Sequence, residues 1–241
     1  MTCLAKLTEA APESKRSSLE YAVRALHREM SHAFSGQGFT FMRVFTPFAD
    51  LISTRESIKE EEVPPGFGVA SHAGEVTFRE RSGKALAAAI RSGLRVGGEH
   101  LIEDLATNGL KFDLRNPRAV AYAEQRAALM IQEISDTTRA ALRRLIVKAV
   151  DEGLGPVVLR RMIRERFDEF SKSRAERIAR TETGEAYERG SAIVARDLEE
   201  GGLRLEKRWL TGGDAKVSDM DQANSARGWV TMDRMFEGSF G

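Results

Sequence analysis

The residues that could do chemistry are few and scattered. Asp214, Asp219 and Asp221 follow the turn Thr211-Gly212-Gly213. Three carboxylates around a turn are a donor set that a divalent cation accepts. Their spacing lacks the central glycine and the closing glutamate of a calcium loop, so solvated loop charges are the plainer reading. Glu182 is the second candidate. Spacing of three and four residues puts it on one helical face with Ala175, Ile178 and Ala186. A carboxylate facing a core must be paired or protonated. It serves either as a general base or metal ligand, or as half of a buried ion pair with an arginine. No second catalytic residue type stands nearby in the sequence, which favours the ion pair. Arg160, Arg161, Arg164 and Arg166 form the third group. They suit contacts to phosphates or to an acidic partner, and solvated helix faces with internal pairs are the alternative.

Other chemistries lack their residues. Cys3 is the one cysteine, so an internal disulfide and a cysteine-built zinc site are both excluded. The four histidines are His27, His32, His72 and His100. A centre beyond residue 100 therefore works without His or Cys. No GxxxxGK or strand-linked GxGxxG is present, and Gly66-Phe67-Gly68 lacks a phosphate-binding lysine. No catalytic, cofactor or metal site is assigned and no cofactor is expected; the chain reads as a non-enzyme. Hydrophobic residues make up 41% and charged residues 30%, an ordinary globular balance. With 37 basic and 36 acidic residues the net charge is +1, which speaks against a bulk polycation. The neutral total hides a dipolar layout. Arg139 to Arg180 holds 12 Lys or Arg against 6 Asp or Glu, whereas Thr181 to Glu200 holds 2 against 6. The uncharged runs Met30 to Met42 and Val63 to Gly74 are too short to span a bilayer. The opening MTCLAKLTEA lacks the basic start and long apolar core of a secretory signal.

The elements that must carry these residues follow from periodicity and punctuation. Leu19, Val23, Leu26 and Met30 predict a helix over Ser17 to Met30. Phe39, Phe41, Arg43 and Phe45 alternate in a strand-like way between Gly36 and Phe48. Gly83 to Leu105 reads as a helix weakened by Gly93 and Gly97-Gly98, at about 1 kcal/mol each. Asn116 before Pro117 is an N-cap with proline at the first helical position. Ile131, Ile134, Thr138, Leu142, Leu145 and Ala149 draw one apolar stripe along a helix from Pro117 to Asp151. Gly153 to Pro156 ends it and opens a second helix carrying Ile163 and Phe167, with Ser171 to Ser173 as a break. A third helix, capped by Ser173, runs from Arg174 to Glu200 and stops at Gly201-Gly202. Leu203 to Leu210 alternates like a strand, and Gly228-Trp229-Val230 is its return strand.

Taken in order, these pieces resemble the phage head morphogenesis domain family, minor head proteins similar to the F protein of phage Mu. The resemblance covers Asn116 to Phe236, about half the chain. It rests on the long helix opened by Asn116-Pro117, the break at Glu152-Gly153-Leu154, and Ile163 to Phe167. Arg174 to Thr183, then Ala186-Tyr187, Gly190 and Lys207-Arg208-Trp209-Leu210 complete it. The I-A-R-T-E run followed by K-R-W-L is its specific part. The resemblance implies Arg180, Thr181, Glu182 and Trp209 as hallmark positions, with Glu182 holding its helix to a neighbour and Trp209 anchoring a small sheet onto that helix. Many members carry His or Cys residues beyond the tryptophan strand; here Asp221 and Asn224 stand there, so no metal ligand is carried over.

The expected fold class is α+β: a predominantly helical bundle over 117–200 with a small C-terminal antiparallel sheet over 203–236. An aromatic-rich docking region over 1–80, holding seven of the 12 phenylalanines, and a helical connector over 81–116 precede them. The resemblance implies a virion structural protein of the phage head, made in the host cytoplasm. It would act in head assembly and DNA packaging at the portal vertex or the capsid interior. Its expected partners are the portal protein, the major capsid protein and non-specifically bound packaged duplex DNA; no membrane is expected. The rivals are a DNA-binding regulator using the hairpin at Gly153 and a metal-dependent nuclease using the aspartates or Glu182.

Overall fold

The computed structural model describes residues 13–53, 66–105, 110–211 and 217–238. Four long helical stretches make up the body. They are α1 (Glu13–Ser53), α2 (Phe67–Asp104), α3 (Pro117–Asp151), and a continuous run of α4 (Pro156–Glu169), a π-helical turn (Phe170–Arg174) and α5 (Ala175–Glu200). Contacts along their lengths give the directions. Thr40 meets Thr77, and Phe41 packs on Phe67, so α1 and α2 are antiparallel. Arg139 on α3 reaches Glu75 on α2, and Arg118 on α3 reaches Asp197 on α5. The bundle is therefore up-down-up-down, a topology that short connections favour. The small sheet pairs β1 (Glu206–Lys207) with β2 (Val230–Thr231), antiparallel, with Glu206 opposite Thr231 and Lys207 opposite Val230. A short helix α6 (Asp219–Ala226) lies between them in the chain. A helical bundle with a small C-terminal sheet is the fold class that the periodicity predicts.

Several boundaries stand as read. Asn116 accepts a hydrogen bond from the Arg118 amide with Pro117 at the first helical position, and α3 closes at Asp151. Gly153 has φ 64°, the left-handed exit that glycine adopts without strain.

Three readings are corrected. The stretch Gly36 to Phe48 is helix, not strand. Phe34, Phe41, Phe45 and Ala49 are buried at helical spacing, while Phe39 is 71% exposed. The alternation was an accident of aromatic placement on two faces of one helix. Second, the phenylalanines of the N-terminal region do not form a separate docking segment. Phe34, Phe41, Phe45, Phe67 and Phe78 share one core with Ile134, Leu142, Ile163 and Phe167. Phe41 stacks at 5.1 Å on Phe45 and lies 6.0 Å from Phe167. Third, Ser171 to Ser173 does not break the chain into two helices, and Ser173 is not a cap. The helix widens into the π turn, with Phe170 at φ −61° and ψ −42°. One extra residue per turn rotates the following helix, and such insertions are how a helix re-aims side chains without ending.

The glycines of α2 also have a packing reason. A Cβ on Gly97 would lie 1.8 Å from the Tyr187 carbonyl oxygen, and one on Gly190 2.0 Å from the Leu94 carbonyl oxygen. The two helices cross backbone to backbone, so the propensity lost at Gly93 and Gly97 is offset by closer contact.

Candidate functional site

The run that carries the resemblance lies on α5. Ala175, Ile178, Ala179 and Ala186 face the core and bring Glu182 with them, 2% exposed. Its partner is Arg126 on α3. The guanidinium donates from Nε to Oε2 at 2.8 Å and from Nη2 to Oε1 at 3.0 Å, a two-pronged pair. Arg126 Nη2 also lies 2.7 Å from Oε2 of Glu185. Burial pushes the Glu182 carboxyl above the ordinary carboxylate range, and the two hydrogen bonds from Arg126 pull against it. Both carboxylate oxygens are engaged by the guanidinium, and the group is almost closed to solvent. Glu182 acts as a bolt between α3 and α5, the ion-pair alternative of the two that its face allowed. Beside it, Arg189 stacks over the Tyr122 ring at 5.3 Å. Arg180 is exposed and pairs with Glu176 one turn back at 3.0 Å; Thr181 is exposed.

Arg174 is a feature that the sequence reading missed. The π turn swings it inward between the Phe34 and Phe170 rings, 5.5 Å and 5.0 Å from their centroids. Its guanidinium donates to Thr138 Oγ1 at 2.9 Å, to Thr137 Oγ1, and to the Ile134 carbonyl at 3.4 Å. Burial, with the neighbouring charge of Arg177, lowers its pKa to about 10. Two aromatic faces, two threonine hydroxyls and one helix carbonyl stand in for a carboxylate here. Midway along α5, the buried Tyr187 hydroxyl shares a hydrogen bond with His100 Nδ1, and His100 Nε2 lies 3.5 Å from Asp104. Burial raises the Tyr187 hydroxyl above the usual phenol range.

The arginines of α4 are split by packing. Leu159, Ile163 and Phe167 face the core, which turns Arg161 and Arg164 to solvent and leaves Arg160 and Arg166 half-buried. Arg161 lies 3.8 Å from Glu165, and Arg166 lies 2.6 Å from Glu169. Val157 is exposed at the start of this helix.

In the C-terminal region Asp219 and Asp221 both lie in the first turn of α6. Asp214 lies outside the described residues. Asp221 is occupied: it accepts from Ser218 Oγ at 2.8 Å, its amide donates back to Ser218 Oγ at 3.2 Å, and the Trp209 indole donates to it at 3.1 Å. That is a reciprocal cap on α6. Asn224, fully buried, exchanges two hydrogen bonds with the Glu237 backbone at 2.9 Å and 3.0 Å. Trp209 is half-buried and meets the Phe236 ring edge-on at 5.5 Å. It joins β1 to α6 and the chain end, which corrects its expected role of anchoring the sheet onto the long helix. Among the described residues, no three His, Cys, Asp or Glu side chains are clustered to hold a metal ion. No helix among them is long and apolar enough to cross a membrane.

The site that results is a set of inter-helix fastenings: Arg126 with Glu182, Arg174 between two rings, and Tyr187 with His100. The sequence placed Glu182 on the inner face but could not name Arg126, 56 residues away. Comparison with family models, with characterised proteins and with solved structures finds no match to this chain.

Proposed function

We propose that this chain is a virion structural protein, a minor head protein that takes part in head assembly and DNA packaging from the portal vertex or the capsid interior. The observation that carries the reading is the fate of the I-A-R-T-E run. Its one buried carboxylate, Glu182, is held in a two-pronged pair with Arg126, which supports an architectural role for that position. The long bundle and its exposed arginines on α4 supply a rigid body with charged faces for docking. The proposed partners are the portal or major capsid protein. Packaged duplex DNA is contacted through phosphates alone, by Arg161 and Arg164, without base readout.

The test is particle composition. Mass spectrometry of purified particles from the phage that encodes the chain finds it as a minor component, and deletion of its gene yields defective or empty heads. Absence from particles together with normal heads from the deletion overturns the reading. Magnesium-dependent nicking of plasmid DNA by pure protein, lost on Asp221→Ala, would replace it with the nuclease. Sequence-specific duplex binding at sub-micromolar concentration would replace it with the regulator.

A further inference from the structure

The antiparallel bundle separates charge along its length. α3 alone spans about 50 Å, and its two ends lie among opposite charges. At the end where α2 and α5 finish, Glu99, Glu103 and Asp104 close α2, and Asp197, Glu199 and Glu200 close α5. Neither helix has a basic residue in its last turn. Carboxylates at a helix C-terminus face the negative end of the peptide dipoles, which is unfavourable on its own. Asp197 and Glu200 share one guanidinium, that of Arg118, at 2.5 Å each. At the opposite end, the last turns of α3 line a groove of about 530 Å³ with Arg143, Arg144, Val147, Lys148, Asp151 and Glu152. Lys148 lies 3.7 Å from Glu152, a loose pair.

We infer that the basic groove at the end of α3 takes the acidic end of α2 and α5 from a second copy of this chain, in a head-to-tail contact. Charge complementarity chooses this occupant. A bare polyanion would pair with the three cations but leave Asp151 and Glu152 in the groove without a partner. The acidic end of a second copy brings Arg196 and Arg118 beside its carboxylates, so both signs find partners. The near-zero net charge of +1 leaves no long-range repulsion between copies. A contact between unlike ends is heterologous, so it repeats and builds a ring or an open row of copies.

Sedimentation velocity on the full chain tests this. Between about 1 and 200 μM, at about 50 mM salt, the sedimentation coefficient rises with concentration; at about 500 mM salt the association constant falls at least about tenfold. Arg144→Glu with Lys148→Glu makes both ends acidic, and Glu199→Lys with Glu103→Lys removes the acidic excess of the other end. Each variant alone loses association by about tenfold or more, and an equal mixture of the two recovers it. Arg144, Lys148 and Glu103 are exposed and Glu199 is half-buried, and thermal melting checks that the variants fold. A parent chain that stays monomeric at low salt overturns the inference, as does a mixture that fails to recover association. Tight binding of a random duplex by a chain that remains monomeric overturns it too, in favour of a polyanion in the groove.

Discussion

Replacing Arg126 by methionine is the sharpest probe of the bundle. The change keeps an apolar stem of similar length and removes the charge that binds both oxygens of Glu182. The carboxylate is 2% exposed, so no other donor of the protein replaces the guanidinium without rearrangement. Breaking a buried pair from one side costs about 3–5 kcal/mol. At about 2–4 °C per kcal/mol for a chain of this size, the melting temperature falls by about 6–20 °C. Glu182→Ala costs less, at the lower edge of that range, because Arg126 is 23% exposed and keeps Glu185 at 2.7 Å. The pH dependence has a definite sign. Burial already raises the Glu182 carboxyl, and losing Arg126 raises it further. Below the unfolded-state value of about 4.3 the group is neutral in both states, and the deficit is smallest. As pH climbs from there through the raised native value, the unfolded chain ionises first and the variant loses stability. Calorimetric melts at about pH 4 and pH 7 therefore show the larger gap at pH 7. Replacing both Arg126 and Glu182 by methionine recovers most of the loss, since an apolar pair of similar volume needs no partner. A single Arg126→Met variant melting within about 2 °C of the parent would refute the account of Glu182 as a buried bolt.

Gly97→Ala places a Cβ 1.8 Å from the Tyr187 carbonyl; the helices must part, and denaturant unfolding shows a loss of about 1–3 kcal/mol or more. Arg174→Ala removes the filling between Phe34 and Phe170 and lowers stability by about 2–4 kcal/mol, whereas Arg174→Met, which keeps the contact without the buried charge, loses less than half of that in the same titration. Trp209→Ala cuts the indole bond to Asp221 and the contact with Phe236. Limited proteolysis within 203–237 then accelerates while the main melting transition moves by less than about 2 °C.

Local signals were enough wherever an element is set by its own residues. The cap at Asn116, the proline starts of α3 and α4, the exit at Gly153 and the stop at Gly201 all depend on backbone donors and dihedral freedom within a few residues. The inward face of Glu182 followed from periodicity for the same reason. Where the chain failed to announce itself, the deciding partner lay far off. A Cβ on Gly38 would meet the Phe167 ring at 2.6 Å, so α1 needs a glycine there for packing. Gly97 reads as a weak point until the α2–α5 crossing shows that it and Gly190 each make room for the other helix's backbone. Ser171 to Ser173 offered a local stop, whereas the π turn found there places Arg174 against Phe34, Thr138 and Ile134, contacts that no local signal announces. Composition and periodicity determined that this protein is a helical bundle with an inward carboxylate. Which arginine answers that carboxylate, which rings enclose Arg174, and which charges gather at each end were settled by long-range packing, because those energies exist only once distant helices touch.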